Sequence, residues 1–302
     1  MHERILLVDD EPDLLDILGD FLQDLDYTVT CASNGGEALA ALEQSAFDLL
    51  LSDINMPGMK GFELLEKATS LYPRLKTALI TAYDVRDYMR LAREYNIGNI
   101  IAKTTPFNFD EIELLLKNII SESVFGLERY VTGKLNTFTL SHSNQIEDVM
   151  KKILDDITES RHKRKFRQAL GEILVNAVYY GAKNEQGDKK NEWEIEVALD
   201  TNEEVFVTWG TDNEKAGVAV RDQKGRLTKQ EVLHWLERNT TKNEEGLSLG
   251  LFDEHGKGLY ISRESIDRFI VNIKRNQTTE IVMLNYNEGL FDGYRPLWIH
   301  EF

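Results

Sequence analysis

The first 120 residues alternate short apolar runs with longer segments of helical periodicity, and this alternation is the strongest constraint on the fold. Five apolar runs are each followed by an amphipathic segment, and the runs read ILLVDD, TVTCAS, DLLLSD, TALIT and NIIAK. Short apolar runs of this kind predict buried strands, and the segments between them predict crossover helices. The pattern therefore predicts an α/β domain with a flavodoxin-like, doubly wound (βα)5 parallel sheet.

Polar side chains stand where these apolar runs stop. They are Asp9, Asp10, Asp53, Thr81 and Lys103. Ligands of such sheets bind beyond the carboxyl ends of the strands, and crowded carboxylates there raise one another's pKa unless a divalent cation neutralises them. Mg²⁺ prefers these oxygen ligands. One carboxylate can then attack a phosphoryl group while a lysine and a threonine stabilise the new phosphate oxygens, and Asp53 is the candidate nucleophile.

The motifs LLVDDEP, LLLSDINMPGMKGFELL, ALITAY and IIAK resemble the response-regulator receiver family over residues 1–122. The resemblance implies a phosphoacceptor domain that is phosphorylated by a sensor histidine kinase. By position, it implies the following roles: Asp9 and Asp10 bind Mg²⁺, Asp53 is the phosphoacceptor and a metal ligand, Asn55 supplies a backbone carbonyl to the metal, Thr81 is the switch hydroxyl and Lys103 binds the phosphate.

Two features depart from the receiver pattern. Ile100 stands where the family usually has an aromatic switch residue, and Thr104 and Thr105 separate the lysine from Pro106, which usually follows it directly. Neither change removes a catalytic group. The expected consequence is an altered route from the acceptor site to the face formed by the last strand of the domain and the helices on either side of it in the sequence, and Tyr83 is a candidate for the role of the missing aromatic residue.

The remaining chain predicts a short helical connector over 123–133, a second domain over 134–286 and a C-terminal tail over 287–302. In the second domain, helical periodicity runs from Phe166 to Tyr180. Glu172 and Asn176 are spaced i, i+4 there, so both side chains lie on one face of the helix. Such a pair suits a nucleotide site in which the amide binds Mg²⁺ and the carboxylate activates or orients a nucleophile.

Further polar and glycine positions follow in order. Three strands are predicted, NEWEIEVAL, EEVFVTWG and AGVAVRD. The third strand ends in Asp222, and Gly225 follows three residues later. Gly256 and Gly258 then open a helix, where backbone amides can approach a phosphate closely. The strands DRFIVNIKR and TEIVMLNY close the domain. Helices on one face of a mixed sheet make an α/β sandwich.

This order of a Glu and an Asn on a helix, an Asp after a strand, a glycine pair opening a helix and a closing hairpin resembles the GHKL ATPase superfamily. The segment GEILVNAVYYGA is most similar to the anti-sigma-factor serine kinases. The resemblance implies an ATP-dependent protein serine kinase with an anti-sigma-antagonist-like or sigma-factor-like partner. By position, it implies Glu172 as general base, Asn176 as Mg²⁺ ligand, Asp222 as partner of the adenine amino group, Gly225, Gly256 and Gly258 around the nucleotide, and Thr279 beside adenine.

The adenine motif of that superfamily usually has glycines two and four residues after the aspartate. Here Lys224 and Arg226 stand at those positions, and Gly225 lies between them. Weaker nucleotide binding would leave a non-catalytic module that sequesters a protein partner, which is the alternative to a kinase. A hybrid histidine kinase is disfavoured because His142 and His162 are not followed by the acidic residue of a phosphoacceptor motif.

Charge argues against a DNA-binding output. The formal net charge is −17, and residues 123–302 carry 25 basic against 30 acidic residues. A protein that binds duplex phosphates needs a cationic face. The single cysteine, Cys31, excludes an internal disulfide, and no run of eighteen apolar residues occurs, so we expect a cytoplasmic protein without membrane association. Both resembled families often dimerise, so the resemblance also allows a homodimer.

Overall fold

The computed structural model describes residues 3–104, 107–121, 123–157, 163–184, 196–242, 246–252, 257–287 and 294–302. The chain divides into two compact units. Unit 1 comprises residues 1–123 and 293–298, and unit 2 comprises residues 124–292 and 299–302. Among the described residues, no helix is long and apolar enough to cross a membrane.

Unit 1 is a parallel sheet with the strand order β2-β1-β3-β4-β5. Its elements are β1 (Arg4–Val8), α1 (Pro12–Asp24), β2 (Thr28–Ala32), α2 (Gly35–Gln44), β3 (Leu49–Asp53), α3 (Gly61–Leu71), β4 (Lys76–Thr81), α4 (Met89–Glu94), β5 (Asn99–Ala102) and α5 (Phe109–Ser121). Every residue of β3 is buried, as expected for a central strand covered on both faces. The predicted flavodoxin-like sheet is confirmed.

The crossover helix predicted between the TALIT and NIIAK runs is short in the structure. Residues Val85–Tyr88 form a 3₁₀ turn, and α4 begins only at Met89. The Asp84 carboxylate accepts a hydrogen bond from the Arg86 amide, which caps this turn at its start. An aspartate that caps backbone amides in this way stabilises a tight local turn.

Unit 2 contains a sheet in which β9, β10, β8, β7 and β6 are neighbours in that order, each pair being antiparallel. The elements are β6 (Leu135–Leu140), α6 (Ile146–Asp156), α7 (Lys163–Val175), β7 (Val205–Thr211), β8 (Lys215–Asp222), α8 (Lys229–Thr240), α9 (Lys257–Ser265), β9 (Arg268–Lys274) and β10 (Thr278–Tyr286). From Asn176 to Ala182 the helix α7 continues as π-helical turns. Helix α7 packs against α6 and α9.

The strand predicted over 191–199 falls mostly outside the described residues, and within them Ala198 forms only a single bridge with His142. Within the predicted C-terminal tail, Leu297–Glu301 forms a strand, β11. In unit 1, Leu297 and Trp298 pair antiparallel with β5. In unit 2, Phe302 donates to the Ile273 carbonyl and accepts from the Arg275 amide, which is the pattern of a parallel pair and makes the sheet mixed.

The predicted continuous helix over the connector is wrong. Within 123–133 the described helical structure is one 3₁₀ turn, Leu127–Arg129, and Gly126 precedes it with a φ of +103°. Only glycine adopts such a conformation without strain. The Gly126 amide donates to the buried Glu280 carboxylate at 2.9 Å, and Val124 and Leu127 are buried. Contacts within unit 2 therefore override the local preference for helix.

Candidate functional site

Four side chains meet at the carboxyl end of the unit 1 sheet. Asp9 follows β1, Asp53 ends β3, Thr81 ends β4 and Lys103 follows β5. The first three are almost fully buried, with exposed fractions of 1%, 7% and 0%. The parallel sheet brings these strand ends to one edge, as the sequence predicted.

Lys103 is the cation of this group. Its Nζ lies 2.5 Å from Asp53 Oδ1 and 2.8 Å from Asp9 Oδ2. Burial alone would lower the pKa of Lys103, but the hydrogen bonds and charges of the two carboxylates outweigh burial and raise it. The ammonium therefore stays charged and offsets the repulsion between the two acids.

Backbone groups hold the acidic and hydroxyl side chains in place. The Asn55 amide donates to Asp53 Oδ2 at 2.5 Å, and the Glu11 amide donates to Asp9 Oδ1 at 3.0 Å. Thr81 Oγ1 accepts from the Tyr83 amide at 3.1 Å. These bonds fix the acceptor groups before any ligand arrives, which reduces the reorganisation that a reaction requires.

Gly61 is a site residue that the sequence did not reveal. A Cβ at this position would overlap the carbonyl oxygen of Asp53 and lie 2.9 Å from Leu79 Cδ2. The start of α3 therefore approaches the acceptor strand so closely that only glycine fits. The MKGFELL segment contained this glycine, but its contact with Asp53 depends on the tertiary fold.

The predicted metal ligands are not all brought together. Asp10 is exposed, and among the described residues no group of three or more histidine, cysteine, aspartate or glutamate side chains is close enough to hold a metal ion. Asp9 and Asp53 share Lys103 instead. Carboxylate oxygens like those of Asp9 and Asp53 are nevertheless hard donors of the kind that Mg²⁺ prefers.

The two departures from the receiver pattern have a structural setting. Ile100 is fully buried in β5, where it pairs with Leu79 of β4 and Leu297 of β11. Tyr83, the substitute predicted from the sequence, is 59% exposed. Thr105 and Pro106 lie outside the described residues.

The second candidate site lies in unit 2 around the end of α7. A Cβ on Gly258 would overlap Glu172 Oε2 and would lie 3.5 Å from Asn176 Nδ2. The structure thus brings together three of the predicted nucleotide-site residues at the start of α9. Burial raises the pKa of Tyr180, and the Glu172 charge raises it further. Gly256 lies outside the described residues.

Asp222 forms a second group of predicted residues. It is 5% exposed, and its Oδ1 accepts from the Lys224 amide at 2.8 Å and the Gly225 amide at 2.9 Å. Gly225 has a φ of +58°, which glycine adopts freely. Burial raises the pKa of Asp222 although these amides oppose the shift. Thr279 pairs with Asp222 across β10 and β8, and its hydroxyl and backbone amide also act to lower the pKa of Asp222, against the effect of burial.

Gly181 joins the two groups and was missed by the sequence reasoning. A Cβ on Gly181 would lie 2.9 Å from Asp222 Oδ2. Gly181 belongs to the same π-helical segment that begins at Asn176. The GA dipeptide that follows the two tyrosines was the available signal, because a helical glycine often marks a close approach.

Comparison with known proteins agrees with the geometry of unit 1. Residues 5–117 match the family model described as response regulator receiver domain. The sporulation initiation phosphotransferase F of Bacillus subtilis is 30% identical over 120 residues, which cover 40% of this chain and 95% of that protein.

This chain belongs to the response regulator receiver family.

Other proteins similar to this receiver include the transcriptional regulatory protein CrdR of Helicobacter pylori, which is 27% identical over 201 residues, covering 58% of this chain and 94% of that protein. Among solved structures, the response regulator TrrA of Thermotoga maritima, in complex with Mg²⁺ and BeF, is 33% identical, with a TM-score of 0.36, and the match covers 39% of this chain and 98% of that one. The family model and the likeness to the phosphotransferase are what identify residues 5–117 as a receiver domain.

Proposed function

We propose that the chain is a two-component response regulator that accepts a phosphoryl group on Asp53 and thereby controls an ATP-binding output domain. The observation that carries the first half is the Lys103 ammonium, which bridges Asp53 and Asp9 at the carboxyl end of the sheet. Membership of the receiver family implies a histidine kinase as phosphodonor. Lysines with a purely structural role also bridge carboxylates. The Lys103 bridge differs because it includes Asp53, the acidic residue at the end of the central strand.

The geometry supports a simple transfer reaction. An Asp53 carboxylate oxygen forms a bond to phosphorus while the bond to the donor imidazole nitrogen breaks, and the electron pair of that bond stays on the imidazole. Lys103 and the Thr81 hydroxyl stabilise the negative oxygens of the transferred group. Asp9, Asp53 and the Asn55 carbonyl, with Asp10 beside them, would hold a Mg²⁺ ion that neutralises charge between the carboxylates and the phosphoryl group.

The receiver half is tested with a small phosphodonor such as acetyl phosphate and Mg²⁺, followed by intact mass spectrometry. Wild type is expected to gain one phosphoryl group, and Asp53→Asn none. Asp48→Asn is the matched control, because this carboxylate accepts a hydrogen bond from the Arg4 amide and lies away from the acceptor edge. A phosphoryl group on Asp53→Asn, or none on wild type, would refute the assignment.

For the output half, we infer an ATP-dependent serine kinase of the GHKL type. The support is the convergence of Glu172, Asn176 and Gly258, together with the buried Asp222 beside Gly181. In this proposal Glu172 is the general base, and Asn176 binds the Mg²⁺ of the nucleotide. Asp222 binds the adenine amino group, with Thr279 and Gly225 beside it, while Gly258 and Gly256 contact the phosphates. The target would be a serine of an anti-sigma-antagonist-like or sigma-factor-like partner.

The kinase is tested by incubating the full chain with Mg²⁺-ATP and candidate antagonist domains and by detecting phosphoserine. Transfer by wild type and not by Glu172→Ala is the expected result. Equal signals from the two proteins would remove the kinase assignment.

One observation favours a second candidate, a non-catalytic nucleotide-binding module that sequesters its partner. Arg226 Nη1 donates to the carbonyl oxygens of Gly181 and Ala182 at 2.6 and 2.7 Å. The loop after β8 is thus tied to the end of the helix by a side chain that replaces a glycine of the superfamily pattern. Turnover often requires loops near the nucleotide to move. Nucleotide affinity without phosphoserine formation would select this candidate.

A further inference from the structure

Tyr88 contacts the loop that holds the acceptor aspartate. The Asn55 side-chain amide donates to the Tyr88 hydroxyl at 2.5 Å. The backbone amide of the same asparagine donates to Asp53 Oδ2, also at 2.5 Å. Asn55 is therefore held at both ends, by the acceptor carboxylate through its backbone and by Tyr88 through its side chain.

The position of Tyr88 is fixed by the structure around it. Its ring centroid lies 6.2 Å from that of Phe62, which is 2% exposed in α3. Tyr88 ends the 3₁₀ turn that Asp84 caps, and Val85 at the start of that turn is fully buried. A tyrosine has only two side-chain torsions, so holding it in this position costs little conformational entropy. The hydroxyl is thus a preformed acceptor for the Asn55 amide.

The Asn55 side chain is exposed and lies two residues after Asp53. A primary amide can donate to a phosphoryl oxygen and can accept from a water molecule that attacks phosphorus. Donation to Tyr88 uses one N–H of the amide and fixes the direction of the Asn55 side chain, so the amide is not free to turn toward Asp53. Ile100 is buried and has no hydroxyl that could accept a hydrogen bond from the Asn55 amide. Tyr83 is exposed, and the hydrogen bond described for it joins its backbone amide to Thr81 Oγ1.

We propose that Tyr88 is a positioning residue that prolongs the life of the phosphorylated state by keeping the Asn55 amide away from the hydrolysis of phospho-Asp53. This proposal rests on the phosphorylation of Asp53 proposed above. In that hydrolysis the oxygen of water forms a bond to phosphorus, and the bond from phosphorus to the Asp53 oxygen breaks. The electron pair of the broken bond returns to the Asp53 carboxylate, and a proton of the attacking water passes to the phosphate or to solvent.

The test measures the half-life of the phosphorylated full chain after the phosphodonor is removed, by intact mass spectrometry. Tyr88→Phe keeps the ring and removes the hydroxyl, so it is expected to shorten the half-life about fivefold, the effect of one hydrogen bond on a rate. Asn55→Ala is expected to stay close to wild type, and the double variant is expected to match Asn55→Ala. Tyr95→Phe is the matched control, because the Tyr95 ring also lies beside Phe62, with 5.7 Å between the ring centroids, and it is expected to leave the half-life unchanged.

The double variant separates positioning from a merely structural role. If Tyr88→Phe acted by loosening the turn, its effect would persist without the Asn55 amide. An unchanged half-life in Tyr88→Phe, or a faster loss that persists in the double variant, would overturn the inference while leaving Asp53 phosphorylation in place. A wild type that accepts no phosphoryl group would instead refute the proposed function, and this inference with it.

Discussion

Acidification is expected to destabilise unit 2 through His300. The imidazole is 2% exposed, and its Nε2 has no hydrogen-bond partner among the described residues. Burial, helped by the charge of Lys229, lowers the pKa of His300 from 6.5 to about 3. The neutral ring is therefore the form that the folded protein accommodates.

The magnitude follows from the difference in proton binding between the two states. In the unfolded chain His300 binds a proton below pH 6.5, whereas the folded chain does not bind it until the pH reaches about 3. Between these values the unfolded state holds the extra proton, so the free energy of unfolding decreases as the pH falls. The slope is ~1.4 kcal/mol per pH unit. Lowering the pH from about 7.5 to about 5 thus removes ~2 kcal/mol of stability.

The assay is urea unfolding of the full chain at both pH values, for wild type and for His300→Phe, followed by tryptophan fluorescence. Phenylalanine fills a similar volume and binds no proton. Carboxylates elsewhere titrate in both proteins, so the difference between the two pH-dependent losses isolates His300. Wild type is expected to lose ~2 kcal/mol more than the variant. Equal losses would refute the reasoning.

Three further predictions concern other positions. Gly258→Ala places a methyl group against the Glu172 carboxylate and is expected to weaken nucleotide binding, measured by calorimetry, at least about tenfold. Gly171→Ala is the control and is expected to leave the affinity unchanged, because its Cβ would lie 3.4 Å from a flexible methionine. Lys103→Met removes the cation between the acids and is expected to slow phosphorylation by acetyl phosphate about 100-fold; a rate within a few-fold of wild type would contradict it. Gly217→Ala brings a Cβ within 2.7 Å of a valine Cγ2 and is expected to cost ~1–3 kcal/mol in urea unfolding; an unchanged midpoint would contradict it.

Most of unit 1 could be predicted from the sequence because each strand and helix has a recognisable pattern within its own short segment. Each strand is a short apolar run, each helix has its own period, and the polar residues that stop the runs necessarily meet at one edge of a parallel sheet. Asp53 and Lys103 were found in this way, although 50 residues separate them. Their contact follows from the topology alone.

The features that the sequence missed depend on distant contacts. Strand β11 had no strong pattern of its own, and within unit 1 its first residues pair with the backbone of β5. The connector is not helical because Glu280, about 150 residues away, binds the Gly126 amide. Gly61 and Gly181 are required by neighbours that approach them in the folded chain, and a sequence pattern does not record such distances.

Calorimetric titration of a non-hydrolysable ATP analogue with Mg²⁺ tests the central claim most directly, because that claim joins the acceptor site to a nucleotide site. The titration is performed on wild type before and after phosphorylation, and on Asp53→Asn treated with the same phosphodonor. We predict binding in all three samples, with an affinity that phosphorylation changes in wild type and leaves unchanged in Asp53→Asn. No binding by wild type, or the same affinity before and after phosphorylation, would contradict the claim.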